Sequence, residues 1–430
     1  MPGERTGAAC RLEALAFAFL TVAVFTAPFG SNIHVPGHPS IFLYRIFFVL
    51  FVMVEAVRLA LLRRLRLPSL RHPAAPWMAI AAWAAISLVW VVSLGAGVRY
   101  VGCPAPGATL TCAIAGYGRD RRRLAVMLGA AAGSFLVVLA AALFERETGY
   151  RFPTSNLRDP ELTMRFRFLF TSVFHNVNDL ATFLAMWLPL LLVVYLHRRR
   201  LWARIIALGL SCIVGFLIVA SLSRANTLAA VTALLVIFAL SVRRRFGAWA
   251  VLIAGAVLVV VFMPAMPRYF VRQAVVRLAH EMALGVPSQD IRMKLTQESL
   301  ILLKHTYGLG VGAGNIEARL EALRAEGGGR ATRILNMHNW WLEVLANLGV
   351  IGFVLYVFFY VRLLRDLALA HLRLRNQDEA LAALCLGLLA ALVGFMVGCM
   401  STSSLVSFKP MWILFGFGLA ASYLADRQRC

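Results

Sequence analysis

The chain has 430 residues, of which 60% are hydrophobic and 15% are charged, and its formal net charge at pH 7 is +23. A soluble protein of this length cannot bury so much apolar surface in one core, whereas a lipid bilayer removes the need to bury it. The composition therefore excludes a soluble globular enzyme. It also argues against a nucleic-acid partner, because the basic residues lie in short clusters between apolar runs.

Apolar stretches of about 20 residues, the length that crosses a bilayer, recur along the whole chain. Twelve spans are predicted, near residues 12–30, 41–62, 75–97, 99–117, 124–144, 171–195, 205–223, 226–242, 248–266, 339–361, 379–399 and 411–425. Pro104, Pro106 and Gly107 interrupt the fourth, so a broken or short helix is expected there. The sequence thus predicts an all-α integral membrane protein with about 12 transmembrane helices, in a single polytopic membrane domain over 1–430.

The arginine clusters predict the orientation of the chain. With a cytoplasmic N-terminus, every cluster falls on the cytoplasmic side, which is the positive-inside pattern of membrane proteins. The clusters are Arg63, Arg64, Arg66 and Arg71; Arg119, Arg121, Arg122 and Arg123; Arg198, Arg199, Arg200 and Arg204; Arg243, Arg244 and Arg245; Arg362, Arg365, Arg373 and Arg375; and Arg427 with Arg429. They are therefore interpreted as determinants of topology.

Two polar loops are predicted on the opposite, non-cytoplasmic face. The smaller covers residues 145–170 and contains both arginines and acidic residues that can pair with them. The larger covers residues 267–338, which is far longer than a usual connection and is typical of a functional or separately folded segment. Helices are predicted within it at 268–283, at 289–304 with Ser288 as a cap, and at 315–326, with glycine-rich turns at 308–314 and 327–329.

Three residues on that face form a candidate catalytic site: Arg224 between two spans, Arg292 in the larger loop and His338 where the loop re-enters the membrane. An arginine at a membrane boundary with no acidic residue nearby in sequence, such as Arg224, is a candidate functional residue. Guanidinium groups match phosphate oxygens, and a neutral imidazole can accept a proton from a hydroxyl near pH 7. Together these groups suit transfer of a sugar from a pyrophosphate, because the base assists the attacking hydroxyl while the cations stabilise the leaving phosphate.

Each of these residues also has a structural interpretation. His338 can cap a helix, and Arg224 can extend its charged group to water. Arg292 can pair with Asp290 or Glu298. The seven cysteines show no metal-ligand spacing and no metal-binding cluster is evident, so the arginines are expected to take the place of a divalent cation.

The sequence around His338 resembles a known motif. His338-Asn339 is followed by nine residues (WWLEVLANL) and then by residues 349–352 (GVIG). This pattern resembles the H-N-x9-G-x-x-G motif of the lipid A-core O-antigen ligase family, which belongs to a superfamily with O-antigen polymerases and protein O-oligosaccharyltransferases.

Other parts of the chain resemble the same family, chiefly within residues 221–352. Residues 310–315 (GVGAGN) are similar to its glycine-rich stretch, and Arg292 falls where the family has an arginine early in its large loop. Ser223-Arg224 is similar to its Ser-Arg pair at a span mouth, although Ala225 stands where the family often has glycine.

The resemblance implies a metal-independent glycosyltransferase of the bacterial inner membrane, with no cofactor and an active site that faces the periplasm. It implies transfer of a polysaccharide from undecaprenyl pyrophosphate to lipid A-core. Membrane lipid is then a further partner, and no nucleic-acid partner is expected. His338 is by that likeness the general base, while Arg224 and Arg292 bind the donor pyrophosphate. Asn339, within the motif, and Glu343, within two turns of His338, are supporting candidates, and Glu343 can equally be a mouth residue facing water.

Two other functions are compatible with the sequence. An O-antigen polymerase of the same superfamily uses the same lipid-linked donor, with a second lipid-linked chain as acceptor. A transporter or flippase of lipid-linked sugars is expected to have paired broken helices and ionisable residues near the bilayer centre. Only the predicted span 99–117 is interrupted in this way, and acidic residues are nearly absent from the spans, so the ligase is the first interpretation.

Overall fold

The computed structural model describes residues 2–62, 75–102, 104–158, 169–262, 288–326, 339–402 and 408–428. Its α-helices in chain order are α1 (Pro2–Thr26), α2 (Leu43–Leu61), α3 (Ala75–Ile86), α4 (Leu94–Gly102), α5 (Pro104–Tyr117), α6 (Arg121–Thr148), α7 (Val177–His197), α8 (Leu201–Ala220), α9 (Arg224–Phe262), α10 (Ser288–His305), α11 (Ile316–Glu326), α12 (Trp340–Leu374), α13 (Glu379–Gly398) and α14 (Lys409–Arg427). Short 3-10 helices cover Ala27–Asn32, Ser87–Trp90 and Asn156–Arg158, and the strands β1 (His34–Val35) and β2 (His38–Phe42) form an antiparallel hairpin.

Seven helical segments of the described residues are long and apolar enough to cross a bilayer. They are Gly7–Asn32, Arg121–Thr148, Val177–His197, Leu201–Ala220, Arg224–Val242, Trp340–Leu374 and Glu379–Gly398. The prediction of a helical, multi-pass membrane protein is confirmed at this level. The number of twelve spans and the side of the membrane that each loop faces stay predictions.

The predicted third span is interrupted. α3 ends at Ile86, a 3-10 turn follows, and α4 does not begin until Leu94, so the prediction of one continuous span over 75–97 is wrong. The interruption contacts the larger loop, where the backbone N–H of Ala313 donates to Ser87 Oγ at 3.0 Å. The pattern of apolar residues around 75–97 cannot reveal a contact with a part of the chain so distant in sequence, so it did not predict the interruption.

Two other breaks concern predicted spans. The break expected in the fourth span stays a prediction, because residue 103 lies outside the described residues and the chain is helical up to Gly102 and again from Pro104. The spans predicted at 226–242 and 248–266 are two helical stretches of α9 that meet at a kink at Arg245, whose φ of −128° and ψ of 27° depart from helical values, so the break predicted between them is present. Residues 243–245, which lead up to the bend, include neither glycine nor proline, and the backbone is helical on both sides of the bend.

α10 and α11 confirm the helices predicted at 289–304 and 315–326 in the larger loop. The helix expected at 268–283 and the turn expected at 327–329 lie outside the described residues. α10, α11 and the start of α12 share a small apolar cluster of their own, made of Leu295, Leu302, Val311, Ile316, Leu320, Leu342 and Ala346. This cluster attaches the described part of the larger loop to α12.

The smaller loop begins with a buried ion pair. Glu145, near the end of α6, is fully buried and pairs with Arg151 at 2.9 Å. Its carboxylate also accepts hydrogen bonds from the backbone N–H groups of Thr171, at 2.8 Å, and Ser172. The prediction that arginines here pair with acidic residues is confirmed for this pair, which fixes both described ends of the loop to α6.

α7 and α13 are the most buried of the candidate spans. Both are apolar on nearly every face, which is typical of helices that pack inside a bundle. α13 packs against α7, α9 and α12, so the residues that follow its C-terminus lie among the first turns of those helices. This arrangement positions the candidate functional site.

Candidate functional site

The centre of the candidate site is the turn of residues 399–402, which follows α13. α13 ends at Gly398, and the backbone N–H of Ser401 donates to the Gly398 carbonyl at 3.1 Å. Cys399, Ser401 and Thr402 are almost completely buried, whereas Met400 is exposed. The polar groups of this turn are therefore available chiefly to neighbouring elements of the protein.

The first turn of α12, which begins directly after His338-Asn339, binds to the 399–402 turn. The backbone N–H of Trp340 donates to the Cys399 carbonyl at 3.2 Å. Asn339 is the N-cap of α12, since its side chain accepts a hydrogen bond from the Leu342 backbone N–H at 3.4 Å. His338 itself lies outside the described residues, but the residue next to it in the chain starts the helix at this turn.

Arg292 reaches the same turn from the larger loop. It lies in the first two turns of α10, and its Nη1 donates to the Met400 carbonyl at 3.4 Å. Glu298, one of its predicted alternative partners, is bound by Arg324 at 2.7 Å. The contact with Met400 thus brings Arg292 beside the start of α12.

Asn226 links the segment that contains Arg224 to the turn. Its side chain is fully buried, and Nδ2 lies 3.0 Å from Ser401 Oγ, 2.9 Å from Ser223 Oγ and 3.2 Å from the Asn178 carbonyl. Its Oδ1 accepts a hydrogen bond from Thr182 Oγ1 at 2.9 Å. Asn226 therefore connects α7, α9 and the 399–402 turn in one buried network.

Arg224 is the first residue of α9, two residues before Asn226, and its side chain is exposed. The network around Asn226 fixes the backbone from which that side chain extends. The structure thus places Arg224, Arg292 and the start of the His338-Asn339 helix around one turn.

The first turns of α7, α9 and α12 meet at this site, and each contributes positive electrostatic potential. Unpaired backbone N–H groups give a helix N-terminus a partial positive charge that favours anions. α7 is capped by Asn176, whose side chain accepts from the Asp179 backbone N–H at 2.9 Å. Asp179, also in that first turn, is a buried carboxylate that offsets part of the charge. With two arginines added, the arrangement is suited to binding an anionic group.

The glycine-rich loop of residues 308–315 completes a bend in α12. α12 bends at Gly349, whose φ of 66° is in the left-handed region. The bend leaves backbone groups without helical partners, and the loop supplies them. Val311 N–H donates to the Ala346 carbonyl at 2.9 Å, Gly312 N–H to the Asn347 carbonyl at 3.0 Å, and Val350 N–H to the Gly308 carbonyl at 2.8 Å.

The backbones of the glycine-rich loop and of α12 approach each other so closely at the bend that only glycine fits on either side. A Cβ at Gly310 would lie 2.4 Å from the Gly349 backbone nitrogen, and a Cβ at Gly349 would lie 2.3 Å from the Leu309 carbonyl carbon. Trp83 Nε1 donates to the Leu348 carbonyl at 2.7 Å and satisfies another group at the bend. The glycines of the sequence motif thus have a structural role in shaping α12.

Glu343 lies one turn after Asn339 on α12. Its backbone carbonyl accepts a hydrogen bond from Asn347 Nδ2 at 2.9 Å, and its carboxylate interacts electrostatically with Tyr100 and Glu317. The structure thus sets this carboxylate near Tyr100 of α4 and Glu317 of α11. Within the described ranges, no three His, Cys, Asp or Glu side chains are close enough to hold a metal ion.

Two parts of the site were missed in the sequence. Asn226 and the 399–402 turn carry no charge, and their mutual hydrogen bond joins residues 175 positions apart. The one available signal is the polar stretch 399–404 (CMSTSS), which separates two apolar runs.

The fold and this site define a multi-pass helical membrane protein with a polar site at one end of its helices. Residues 209–357 match the family model described as O-antigen ligase. This segment is therefore similar to that family, and the resemblance seen in the sequence is confirmed for it. The matched segment includes both candidate arginines and the whole His338-to-Gly352 motif.

The chain is also similar to a protein of Bacillus subtilis (strain 168) named teichuronic acid biosynthesis protein TuaE. The two are 26% identical over 350 residues, which cover 80% of this chain and 70% of the relative. The family match and this relative together support a membrane enzyme that processes polysaccharide.

Proposed function

We propose that the protein is a glycosyltransferase that transfers a polysaccharide from a lipid-linked pyrophosphate to an acceptor hydroxyl. The observation that carries the proposal is the convergence on the 399–402 turn. Three parts of the chain bind this one turn. The Arg224 segment does so through Asn226, α10 through Nη1 of Arg292, and the helix that follows His338-Asn339 through the Trp340 backbone.

The two arginines bind the donor pyrophosphate in this mechanism. A guanidinium group forms paired hydrogen bonds with phosphate oxygens and keeps its charge at all accessible pH values. As the bond between the anomeric carbon and phosphate oxygen breaks, negative charge grows on the leaving pyrophosphate. Arg224, Arg292 and the first turns of α7, α9 and α12 stabilise that charge, so the reaction needs neither a divalent cation nor a cofactor.

His338 is the general base. The oxygen of the acceptor hydroxyl attacks the anomeric carbon, its proton passes to the neutral imidazole, and the electron pair of the broken bond leaves with the pyrophosphate. Asn339 supports this step by fixing the first turn of α12, because its side chain caps that helix. Glu343 supports the fold of the same helix through the contact of its carbonyl with Asn347.

The donor is undecaprenyl-pyrophosphate-linked polysaccharide and the acceptor is lipid A-core, which makes the protein an O-antigen ligase of lipopolysaccharide synthesis. The site faces the periplasm from the inner membrane. The description of the matched family, O-antigen ligase, favours this acceptor. The positive-inside pattern of the arginine clusters favours this orientation.

Polymerisation is the second candidate function. The Bacillus relative is named for teichuronic acid and not for a lipopolysaccharide, which favours an acceptor other than lipid A-core. A polymerase joins two lipid-linked chains and releases the pyrophosphate of one, so the same arginines and base serve it.

Product analysis of the purified protein distinguishes these functions. The protein is mixed with undecaprenyl-pyrophosphate polysaccharide and lipid A-core, with and without excess chelator, and the products are separated by gel and mass spectrometry. Polysaccharide attached to lipid A-core in both conditions is the expected result. Lengthened lipid-linked chains would establish the polymerase instead, and a requirement for magnesium or manganese would contradict the arginine mechanism.

A further inference from the structure

A second polar cavity lies at the opposite end of the bundle. It has a volume of about 540 Å³, opens to solvent, and is formed by the end of α5, the start of α6 and the end of α14. Phe408, directly before α14, and Phe174, three residues before α7, have ring centres 5.9 Å apart, so the two helices start near each other. α14 ends at Arg427 in the cavity wall. Its 19 residues span roughly 28 Å, close to the hydrocarbon thickness of a bilayer. The cavity is therefore separate from the 399–402 turn.

Arginines dominate the lining of this cavity, and two of them are already paired. The charged residues of the lining are Arg119, Arg121, Arg123, Arg427 and Asp120. Arg121 pairs with Asp378 at 2.8 Å, and Arg123 pairs with Glu13 at 2.6 Å. Burial raises the pKa of Asp378, but hydrogen bonds from Arg121 and Gln428 outweigh it and hold the pKa below its usual range. Asp378 is thus ionised and matches the charge of Arg121.

Arg119 and Arg427 have no carboxylate partner among the described residues. The guanidinium carbon of Arg119 lies 4.2 Å from the centre of the Tyr423 ring, so the side chain is held by a cation–π contact. Its Nε is buried and has no acceptor within the described ranges. Buried N–H groups in native proteins nearly always have a partner, so this donor is suited to a bound ligand.

The Asp120 carboxylate does not neutralise the positive charge of Arg119 or Arg427. Its Oδ1 caps α6 by accepting a hydrogen bond from the Arg122 backbone N–H at 2.9 Å. Its Oδ2 lies 3.9 Å from Arg123 Nε. The unmatched positive charge therefore faces the cavity from Arg119 and Arg427.

We propose that this cavity binds the phosphate group of an anionic phospholipid headgroup through Arg119 and Arg427. A guanidinium fork matches phosphate oxygens. The cavity lies where α6, one of the candidate spans, begins and where α14 ends, beside Leu424 and Tyr423, and the end of a spanning helix is at the level of lipid headgroups. Basic pockets between transmembrane helices are known as headgroup sites, which favours a lipid over free phosphate.

The test measures thermal unfolding of the detergent-purified full chain and the lipid it retains in native mass spectrometry. Phosphatidylglycerol is titrated against phosphatidylcholine, and inorganic phosphate is titrated alone. The variant pair Arg119→Gln/Arg427→Gln is compared with Arg198→Gln/Arg199→Gln, which removes two exposed charges from another cluster. Arg427→Gln alone serves as a second variant, because its side chain is exposed and its loss leaves the Tyr423 contact intact.

Phosphatidylglycerol is expected to stabilise the wild type and the control pair. The Arg119/Arg427 pair is expected to bind it at least about tenfold more weakly, the scale for two arginines near an anionic lipid surface. Equal stabilisation by phosphatidylcholine would overturn the proposal. So would an equal loss in the control pair, or full stabilisation by inorganic phosphate with none from the lipid.

Discussion

Asn226 is the residue at which α7, α9 and the 399–402 turn share hydrogen bonds. Asn226→Leu keeps a similar volume but removes the hydrogen bonds with Ser401 Oγ and Thr182 Oγ1, which keep only their contacts to backbone carbonyls nearby in sequence. A hydrogen bond inside the protein contributes about 0.5–1.5 kcal/mol, so we expect a lower unfolding temperature and weaker donor binding, because the backbone of Arg224 loses its support. Thermal unfolding and titration of lipid-linked donor measure both effects.

A matched control lies on the same helix. Thr232→Val removes a hydroxyl that is exposed and contacts only the Leu228 carbonyl one turn earlier, so donor binding should be unchanged. If Asn226→Leu binds donor as tightly as this control, Asn226 has no positioning role for Arg224.

Arg224 and Arg292 are predicted to act through the geometry of the guanidinium group and not through charge alone. Arg224→Lys and Arg292→Lys keep the charge, yet an ammonium group cannot form the paired contact with a pyrophosphate. We expect each variant to lose most transfer activity in the purified assay, while Arg365→Lys, an exposed arginine elsewhere, stays near wild type. Near-normal transfer in both site variants would mean that diffuse positive charge is sufficient.

The sequence predicted the charged members of the site because arginine and histidine are conspicuous between apolar runs. Asn226 and Ser401 were missed since their importance depends on a hydrogen bond across 175 positions of the chain. An uncharged residue inside an apolar run gives no sign of what it will contact after folding. The same limit applies to Trp83, whose bond to the Leu348 carbonyl joins residues 265 positions apart.

Among the elements, α12 bends where the glycine-rich loop supplies hydrogen bonds that its own backbone lacks. Gly349 has a left-handed φ and lies in backbone contact with Leu309. Gly349→Ala adds strain of about 1–2 kcal/mol from φ alone, and a clash at 2.3 Å adds more, so we expect loss of folded protein. Yield and unfolding temperature after purification measure the effect.

Gly215→Ala on α8 is the matched control, because nothing lies within 4 Å of a Cβ there and its φ is helical. Alanine favours a helix over glycine by about 1 kcal/mol, so this variant should be at least as stable as wild type. Equal stability of the two variants would contradict the account of the bend.

Apolar runs predicted most helices, because the length needed to cross a bilayer is a strong constraint. Breaks were predictable where charged residues separate two apolar runs, as at Arg245. The interruption after Ile86 occurs where the glycine-rich loop packs against it. The Ala313–Ser87 hydrogen bond at this contact joins residues 226 positions apart. The kink of α9 at Arg245 falls in the arginine cluster that the sequence placed between two predicted spans.

For the whole molecule, the arginine clusters and the candidate site are predicted on opposite sides of the membrane. Cysteine placed at Glu321 on α11, in a cysteine-free background, should react with a membrane-impermeant maleimide in intact cells, since that side chain is exposed. Cysteine at Arg199 should react only after the membrane is opened. The reverse labelling pattern would contradict a site that faces the periplasm.

The charge of the whole molecule is then divided between two ends. At the site, two arginines and three helix N-termini favour a pyrophosphate. At the other end, the arginine-lined cavity favours lipid phosphate at the opposite surface of the bilayer. The net charge of +23 includes the two site arginines and the topology clusters, and Arg119 and Arg427 of the cavity belong to those clusters.

The most direct test of the central claim is the transfer rate of His338→Ala beside its affinity for donor. With saturating undecaprenyl-pyrophosphate polysaccharide and acceptor, the account predicts a rate lower by about 100-fold or more, the usual contribution of a general base. Donor affinity should stay close to wild type, and the wild-type rate should fall on the acidic side of the histidine pKa as the base is protonated. A variant that binds donor normally and transfers at nearly the wild-type rate would contradict the account and leave His338 a structural role at the start of α12.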